Sequence, residues 1–482
     1  MGYRHGIYAS ELPTSIVPPV NTEACLPVVF GTAPVHLATD RAAANKPILL
    51  YSYAEAVAQF GYSENWGDYT LCEAMCSQFC LYNVAPVVLV NVLDPAVHKT
   101  AVIKESVTLT NGVATLTDPI LLETLKVRVN EAGQDLVIGT DYEAIYNDSE
   151  QIILTVLEGG ALASAETCYL SYDKVDPSKV SDADIVGGIS VTTGECKGLE
   201  TLNQVFPLYG VVPGMILAPG WSQVPATAAV MKAKAATIST FFGAVSICDI
   251  PADNTVSKYT DVSSWKNQNN YTGNDQAVCW PMCKLGGVVY HRSTHLMGAI
   301  GVLCSNNDDV PYESPSNVSI QCDANCLEDG TEIILGPEQA NYLNGQGVIT
   351  GLNFSGGWKM WGNRTACYPG NTDPKDAFLC QRLMVHWHAQ TFILTYFSKV
   401  DRPMSKRLID TIVDSENIRL NGLAAKQYIL GGYIEFVSDE NALTDLIDGK
   451  MTFHTHWTPP VPAREIVNTI EFDTSNFSKL FE

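Results

Sequence analysis

The sequence predicts a multidomain chain of α/β and α+β class: a mixed-sheet core, a β-rich insertion, and extended strand arms at both ends. Three observations point to it. Apolar β-branched runs alternate with helical stretches at 28–92 and again at 211–250, as in strands buried in a layered α/β core. From about 101 to 172 the texture changes to alternating strands broken by turn residues. Both ends carry strand-like residues set apart by prolines, Pro13, Pro18 and Pro19 at one end and Pro459, Pro460 and Pro462 at the other. At 482 residues the chain is too long for one core, and roughly two to four domains are expected.

Residues 1–20 have little to bury and read as an arm. Strands follow at 28–31 and 87–92, with helices at 53–60 and 70–81 between them. At 107–116 two alternating stretches flank Asn111-Gly112, a pair that supplies the positive φ angles of a type I′ hairpin turn. Further strands are predicted at 125–129, 151–156 and 167–172. The α/β pattern resumes with a strand at 211–217, a helix from Pro225 to about Ser239 and a strand at 244–250, which together make a β–α–β unit. The last third reads as helices at 377–397 and 404–412 and strands at 428–437 and 450–457. Past the proline cluster, 466–472 alternates like a strand with nothing local to pair with. The domains are therefore an arm at 1–20, an α/β domain from 21–96 and 185–350, an insertion at 97–184, a C-terminal domain at 351–462 and an arm at 463–482.

Composition narrows the function. The 52 acidic against 29 basic residues give a formal charge of -23, which disfavours nucleic acid and anionic membrane surfaces as partners. The opening MGYRHGIYASELP lacks a basic segment followed by an apolar one, so no signal peptide is expected, and no apolar run is long enough to span a bilayer. A chain made in a cytoplasm would keep its 14 cysteines reduced and buried.

No phosphate-binding loop, dinucleotide fingerprint, His-Glu-x-x-His or Gly-x-Ser-x-Gly elbow occurs. Cys72, Cys76 and Cys80 recur every fourth residue, and packing of one helical face on a sheet explains them better than a metal. Cys279, Cys283, His291 and His295 suggest zinc only superficially, since their spacing is too short for a finger. Cys322 and Cys326 read as free thiols, with a labile disulfide as the competing reading. His386 and His388 diverge on a helix, whereas His454 and His456 share one face of a strand. No catalytic residue, metal or cofactor is expected.

An isolated strand is unstable in water, so arms at both ends call for a partner, and another copy of the chain is the natural one. Head-to-tail donation of arms builds rings or open filaments.

The order of segments resembles one known family. The opening RHGIYASELPTSIVPPVNTEACLPVVFGTAP, the strand–Pro-Gly–helix GMILAPGWSQVPATAAVMKAKA, the stretch 291–317 ending SPSN, ANYLNGQGVIT, GWKMWGNRTA and GKMTFHTHWTPPVPAREIVNTIEFD are similar, in sequence and spacing, to contractile tail sheath proteins of myophages, contractile bacteriocins and related injection systems. The resemblance covers nearly the whole chain except about 97–184. It implies a structural, non-enzymatic subunit. Copies would form a metastable helical polymer around an inner tail tube protein, with baseplate and tail terminator proteins as further partners. Contraction would drive the tube through a target envelope. It places the protein in a virion tail or phage-tail-like particle, after synthesis in the bacterial cytoplasm. The arms, including Gly6, Ile7, Tyr8, Ile466, Val467, Ile470 and Phe472, would link subunits by strand exchange. The C-terminal domain would face the tube, with Lys399, Arg402, Lys406 and Arg407 as candidate contacts. The insertion would decorate the outside. Two other readings compete: a metal-dependent enzyme built on Cys279, Cys283, His291 and His295, and an adhesin acting through the insertion.

Overall fold

A computed structural model describes residues 20, 21 and 24–481. The chain forms two compact units, one running to Pro403 and the other spanning Met404–Glu482.

The first unit is built on a six-stranded sheet. Its strands in chain order are β1 (Pro27–Gly31), β2 (Ile48–Leu50), β3 (Val87–Asn91), β4 (Met215–Leu217), β5 (Val245–Asp249) and β6 (Gln276–Cys279). Their spatial order is β6-β5-β4-β1-β3-β2. All neighbours are parallel except β2, which runs antiparallel along the edge. Every residue of β1, β3, β4, β5 and β6 is buried, which is why β1, β3 and β4 read as nearly continuous apolar runs without alternation.

Helix α1 (Tyr53–Phe60) starts where sequence predicts. Ser52 accepts the Glu55 N–H at its N-cap, and Gly61 ends it at φ 73°. Helix α2 (Thr70–Met75) passes into a π turn, Cys76–Leu81. The wider turn changes the repeat, so a spacing of four residues no longer holds one face. Only Cys72 is buried; Cys76 lies 3.6 Å from the Tyr290 hydroxyl and Cys80 is exposed. Gly31 sits where β1 meets α2. A Cβ there would run into Thr70 Oγ1 and lie 3.3 Å from Leu71 Cγ. Gly31→Ala is expected to destabilise the unit by about 1–3 kcal/mol, read as a lower urea midpoint.

Helices α3 (Pro225–Ala236), α4 (Tyr259–Gln268) and α5 (Arg292–Asn306) follow. Buried Cys25, just before β1, and buried Cys304 near the end of α5 are joined as a disulfide, their Cα atoms 6.7 Å apart. This corrects the expectation of uniformly reduced cysteines. The fold brings together two residues 279 positions apart at a separation a disulfide spans.

Between β3 and β4 the strands of the insertion form two three-stranded sheets. One holds Lys99–Thr108, Thr167–Val175 and Lys126–Arg128; the other holds Val113–Leu116, Ile152–Val156 and Tyr142–Tyr146. They share a separate core that includes Ile120, Val127, Ile152, Leu154, Cys168 and Leu170. The Asn111-Gly112 turn forms as predicted, with φ of 52° and 78° and paired backbone bonds between Thr110 and Val113. The hairpin ladder does not extend, because the two flanks belong to different sheets. The alternation that suggested one hairpin instead points two layers at a common core. Tyr146 against His36, at 5.7 Å between rings, and a hydrogen bond from Ser63 to Glu150 of 2.9 Å seat the insertion on the α/β core.

The hairpin Thr350–Asn353/Trp358–Trp361 and helix α6 (Leu379–Tyr396) complete this unit. Met360, Ala366, Leu379 and Leu383 are buried in the main core, so residues 351–403 group with the first unit and the boundary falls at 403/404. An ion-pair cluster fixes α6. Asp275 Oδ1 lies 2.6 Å from Arg382 Nη2 and 2.7 Å from His386 Nε2, while Asp376 lies 3.1 Å from Arg382 Nη1. Burial works to raise the Asp275 carboxyl, but His386 and Arg382 together hold it below the usual carboxylate range.

The second unit packs helix α7 (Lys406–Ala425) on a hairpin of Gly431–Glu435 and His454–Thr458. Ile412, Leu420, Ile429 and Ile434 are its buried apolar residues.

Candidate functional site

Helix α7 begins where Ser405 accepts the Leu408 N–H at 3.2 Å. Asn417 on this helix brackets the backbone of Ile434, donating to its carbonyl at 3.0 Å and accepting its N–H at 2.9 Å. The hairpin is thereby fixed to the helix. The ladder aligns Gly431 with Thr458 and Glu435 with His454, and among the described residues no third strand joins this sheet. A two-stranded sheet is marginal on its own and offers edges for augmentation.

Beyond Thr458 the chain leaves the hairpin through Pro459, Pro460 and Pro462. Residues 466–472 are not a strand in the isolated chain. Among them Ile466 is 88%, Val467 76%, Ile470 86% and Phe472 77% exposed. Four large apolar side chains are thus left in water within seven residues. Gly6, Ile7 and Tyr8, and the N-terminal arm 1–20 apart from Val20, lie outside the described residues.

Lys399 and Arg402 are exposed at the end of the first unit, and Lys406 and Arg407 are exposed in the first turn of α7. Cations in a first helical turn oppose the helix dipole, each at a cost of about 0.3–1 kcal/mol. Folding of the helix alone does not account for them.

His454 and His456 do share a face, their rings stacked 4.3 Å apart at 7°. Tyr433 stacks on His456 at 4.6 Å. Glu440 lies 2.7 Å from His454 and Glu435 lies 3.2 Å from His456. Each ring is thus engaged by a carboxylate.

The Cys279, Cys283, His291 and His295 set does not converge. His291 Nδ1 is 2.6 Å from Glu73 Oε2, and the His291 and Thr294 donors meet Glu73 Oε1 at 2.6 and 2.9 Å. Burial alone would lower the His291 pKa; the Glu73 carboxylate outweighs it and pushes it up to about 9. His295 is bound to the Tyr82 hydroxyl at 2.8 Å, and burial with nearby Arg292 holds it down at about 3. Among the described residues no three His, Cys, Asp or Glu side chains form a cation site. Sequence reasoning missed the Glu73–His291 pair because its members lie 218 residues apart. Likewise, no helix among the described residues is long and apolar enough to cross a membrane.

No protein-family model matches the chain. It is 26% identical over 97% of its length, and 96% of the relative's, to the tail sheath protein of Burkholderia phage BcepMu. It is 23% identical, over 73% of its length and 84% of the relative's, to the tail sheath protein of Escherichia phage P2. Among solved structures it matches a chain of the anti-feeding prophage baseplate with a TM-score of 0.59 at 14% identity, covering 98% of this chain and 100% of that one. It also matches a chain of the contracted PVC sheath complex of an extracellular contractile injection system, with a TM-score of 0.57 at 12% identity and 99% coverage of both chains. Sequence similarity to phage tail sheath proteins thus runs nearly end to end, and the whole fold is shared with chains of contractile injection systems.

Proposed function

We propose that the chain is the structural subunit of a contractile tail sheath, and that copies polymerise helically through their arms around an inner tube. The observation that carries this reading is the segment 466–472, whose apolar side chains are exposed in the same unit as a two-stranded hairpin. Pairing of arms 1–20 and 463–482 with the hairpin of neighbouring copies would bury those side chains and satisfy strand edges. Gly6, Ile7 and Tyr8 on one arm, and Ile466, Val467, Ile470 and Phe472 on the other, are the proposed contacts. Because each copy gives and receives, the contact is heterologous and extends into a filament. The work is mechanical: two packings of the same subunits separated by a barrier store energy that contraction releases.

On this reading the α/β domain at 21–96 and 185–350 lies on the outside and carries the insertion at 97–184 as decoration. The C-terminal region at 351–462 faces the tube, with Lys399, Arg402, Lys406 and Arg407 as contacts. Baseplate and terminator proteins cap the polymer, which resides in a virion tail or phage-tail-like particle after synthesis in the host cytoplasm.

The double variant Lys406→Glu/Arg407→Glu is expected to abolish co-assembly with the cognate tube protein in a co-pelleting assay while self-polymerisation continues. Undiminished co-pelleting would remove these residues from the tube interface. Pelleting of the full chain alone tests the polymer itself, and a monomer at all concentrations and salts would contradict it.

A further inference from the structure

The Cys25–Cys304 disulfide closes a sequence separation of 279. Both cysteines are fully buried, out of reach of the thiolates that open disulfides. A second tie runs beside the bond. The Ala24 N–H donates to Asp309 Oδ2 at 3.1 Å, and the Asp309 N–H donates to the Cys304 carbonyl at 2.9 Å. The root of the N-terminal segment is therefore fixed to the end of α5 by one covalent bond and one charge-assisted hydrogen bond.

Both anchor points are deeply seated. Eleven of the fifteen residues of α5 are buried. β1 lies inside the sheet between β4 and β3, parallel to both. Just ahead of it the Leu26 carbonyl accepts the Gly214 and Met215 N–H groups at 2.9 and 3.1 Å. Without the disulfide, a pull on the N-terminal segment would reach β1 first. Stripping out this five-residue strand would part β4 from β3 and open the centre of the sheet.

The disulfide changes the covalent route from one chain end to the other. The route runs from residue 1 to Cys25, crosses to Cys304 and continues to Glu482. Residues 26–303 form a closed loop off that route. The loop holds all six strands of the main sheet and the whole insertion.

We propose that the Cys25–Cys304 disulfide is a mechanical shortcut between the two arms, carrying tension from residues 1–20 to residues 463–482 past the α/β core and the insertion. It rests on the polymer reading above, in which neighbouring copies hold each subunit by both arms. Contraction that re-packs the copies then pulls on the chain between its arms. Packing and hydrogen bonds under force give way at their unfolding rate, whereas the S–S bond is covalent. The core and the insertion keep their fold because tension does not pass through them. What stays in the route is the hairpin Thr350–Asn353/Trp358–Trp361, α6 and the second unit.

The test pulls single full-length chains by handles at the N- and C-termini in an atomic force microscope, without reductant. A fully extended chain of 482 residues reaches about 1,700 Å, and closing off 279 of them removes about 1,000 Å. Wild type is expected to stop at about 700 Å, with no rupture that releases length from the main sheet or the insertion. Cys25→Ala/Cys304→Ala should reach about 1,700 Å, with added ruptures as the sheet and the insertion unfold. The wild-type length is read without any substitution, so a poorly folding variant leaves it interpretable. Peptide mapping of the unreduced wild type should also give a linked Cys25–Cys304 peptide. A wild-type length of about 1,700 Å, or free thiols at both cysteines, would overturn the proposal. Single subunits are pulled, so the result is independent of polymerisation. A short length from a chain that forms no tubules would keep the shortcut and remove the polymer reading. The full length from a chain that does form tubules would remove the shortcut alone.

Discussion

Removal of residues 463–482 is expected to abolish polymerisation and leave the subunit folded. The segment 466–472 contributes nothing to either core, since Ile466, Val467, Ile470 and Phe472 are each at least 76% exposed. Burying one large apolar side chain contributes about 1.5–3 kcal/mol, so four of them, set on a paired strand, supply about 6–12 kcal/mol per intersubunit contact. Part of that offsets the cost of association. The surplus lost on truncation is large enough to raise the critical concentration for assembly more than about 1000-fold, which is a little over 4 kcal/mol. Pelleting should therefore fall to background, while circular dichroism and the melting temperature of the unassembled chain change little. Deletion of 1–20 should also abolish polymerisation. A large loss of melting temperature on deleting 463–482 would mean that this arm belongs to the fold after all.

Glu73→Ala is expected to cost about 3–5 kcal/mol of stability. Glu73 is 2% exposed and receives the His291 N–H, the His291 ring and the Thr294 hydroxyl. Truncation strands a charged imidazole and the first turn of α5 without their acceptor. The pair also sets a pH dependence. The folded His291 pKa of about 9 lies above the unfolded value of 6.5. The folded state therefore binds the extra proton, and the contribution is complete below pH 6.5 and is lost as pH rises through about 9. Its size is at most about 3.4 kcal/mol, at 1.36 kcal/mol per unit. Lys266 runs the other way. It is buried and donates to the Ala366 carbonyl at 2.7 Å, and burial depresses it to about 8, so its neutralisation adds stability from pH 8 upward. The difference in unfolding free energy between wild type and Glu73→Gln cancels the lysine. That difference should shrink steadily from pH 6.5 to 9, and a constant difference would remove the ion pair from the account.

Much of this architecture is written in local pattern. Strands β1 and β3 were legible as short β-branched runs because parallel strands are buried on both faces. Helix α1 was legible as a helical stretch at 53–60, which the structure bounds with Ser52 and Gly61. The turn at Asn111-Gly112 was legible because few residues adopt positive φ there. Partnership was not legible. The strands on either side of that turn pair in different sheets, and only the shared insertion core decides this. The Cys25–Cys304 bond and the Glu73–His291 pair join residues more than 200 positions apart. Cys322 was read beside Cys326, its neighbour in sequence, whereas Cys326 sits in a strand opposite Met282 and the Cys322 thiol donates to the Ala324 carbonyl. The separation of the exit segment from the core was readable from its prolines, and Ile466, Val467, Ile470 and Phe472 are exposed.

Negative-stain electron microscopy of the purified full-length protein, beside the 463–482 deletion, addresses the central claim most directly. The account predicts long hollow tubules of regular helical repeat from the full chain and only discrete particles from the truncated one. Discrete monomers or small closed oligomers from the full chain, across salt and protein concentration, would contradict a sheath polymer linked through its arms.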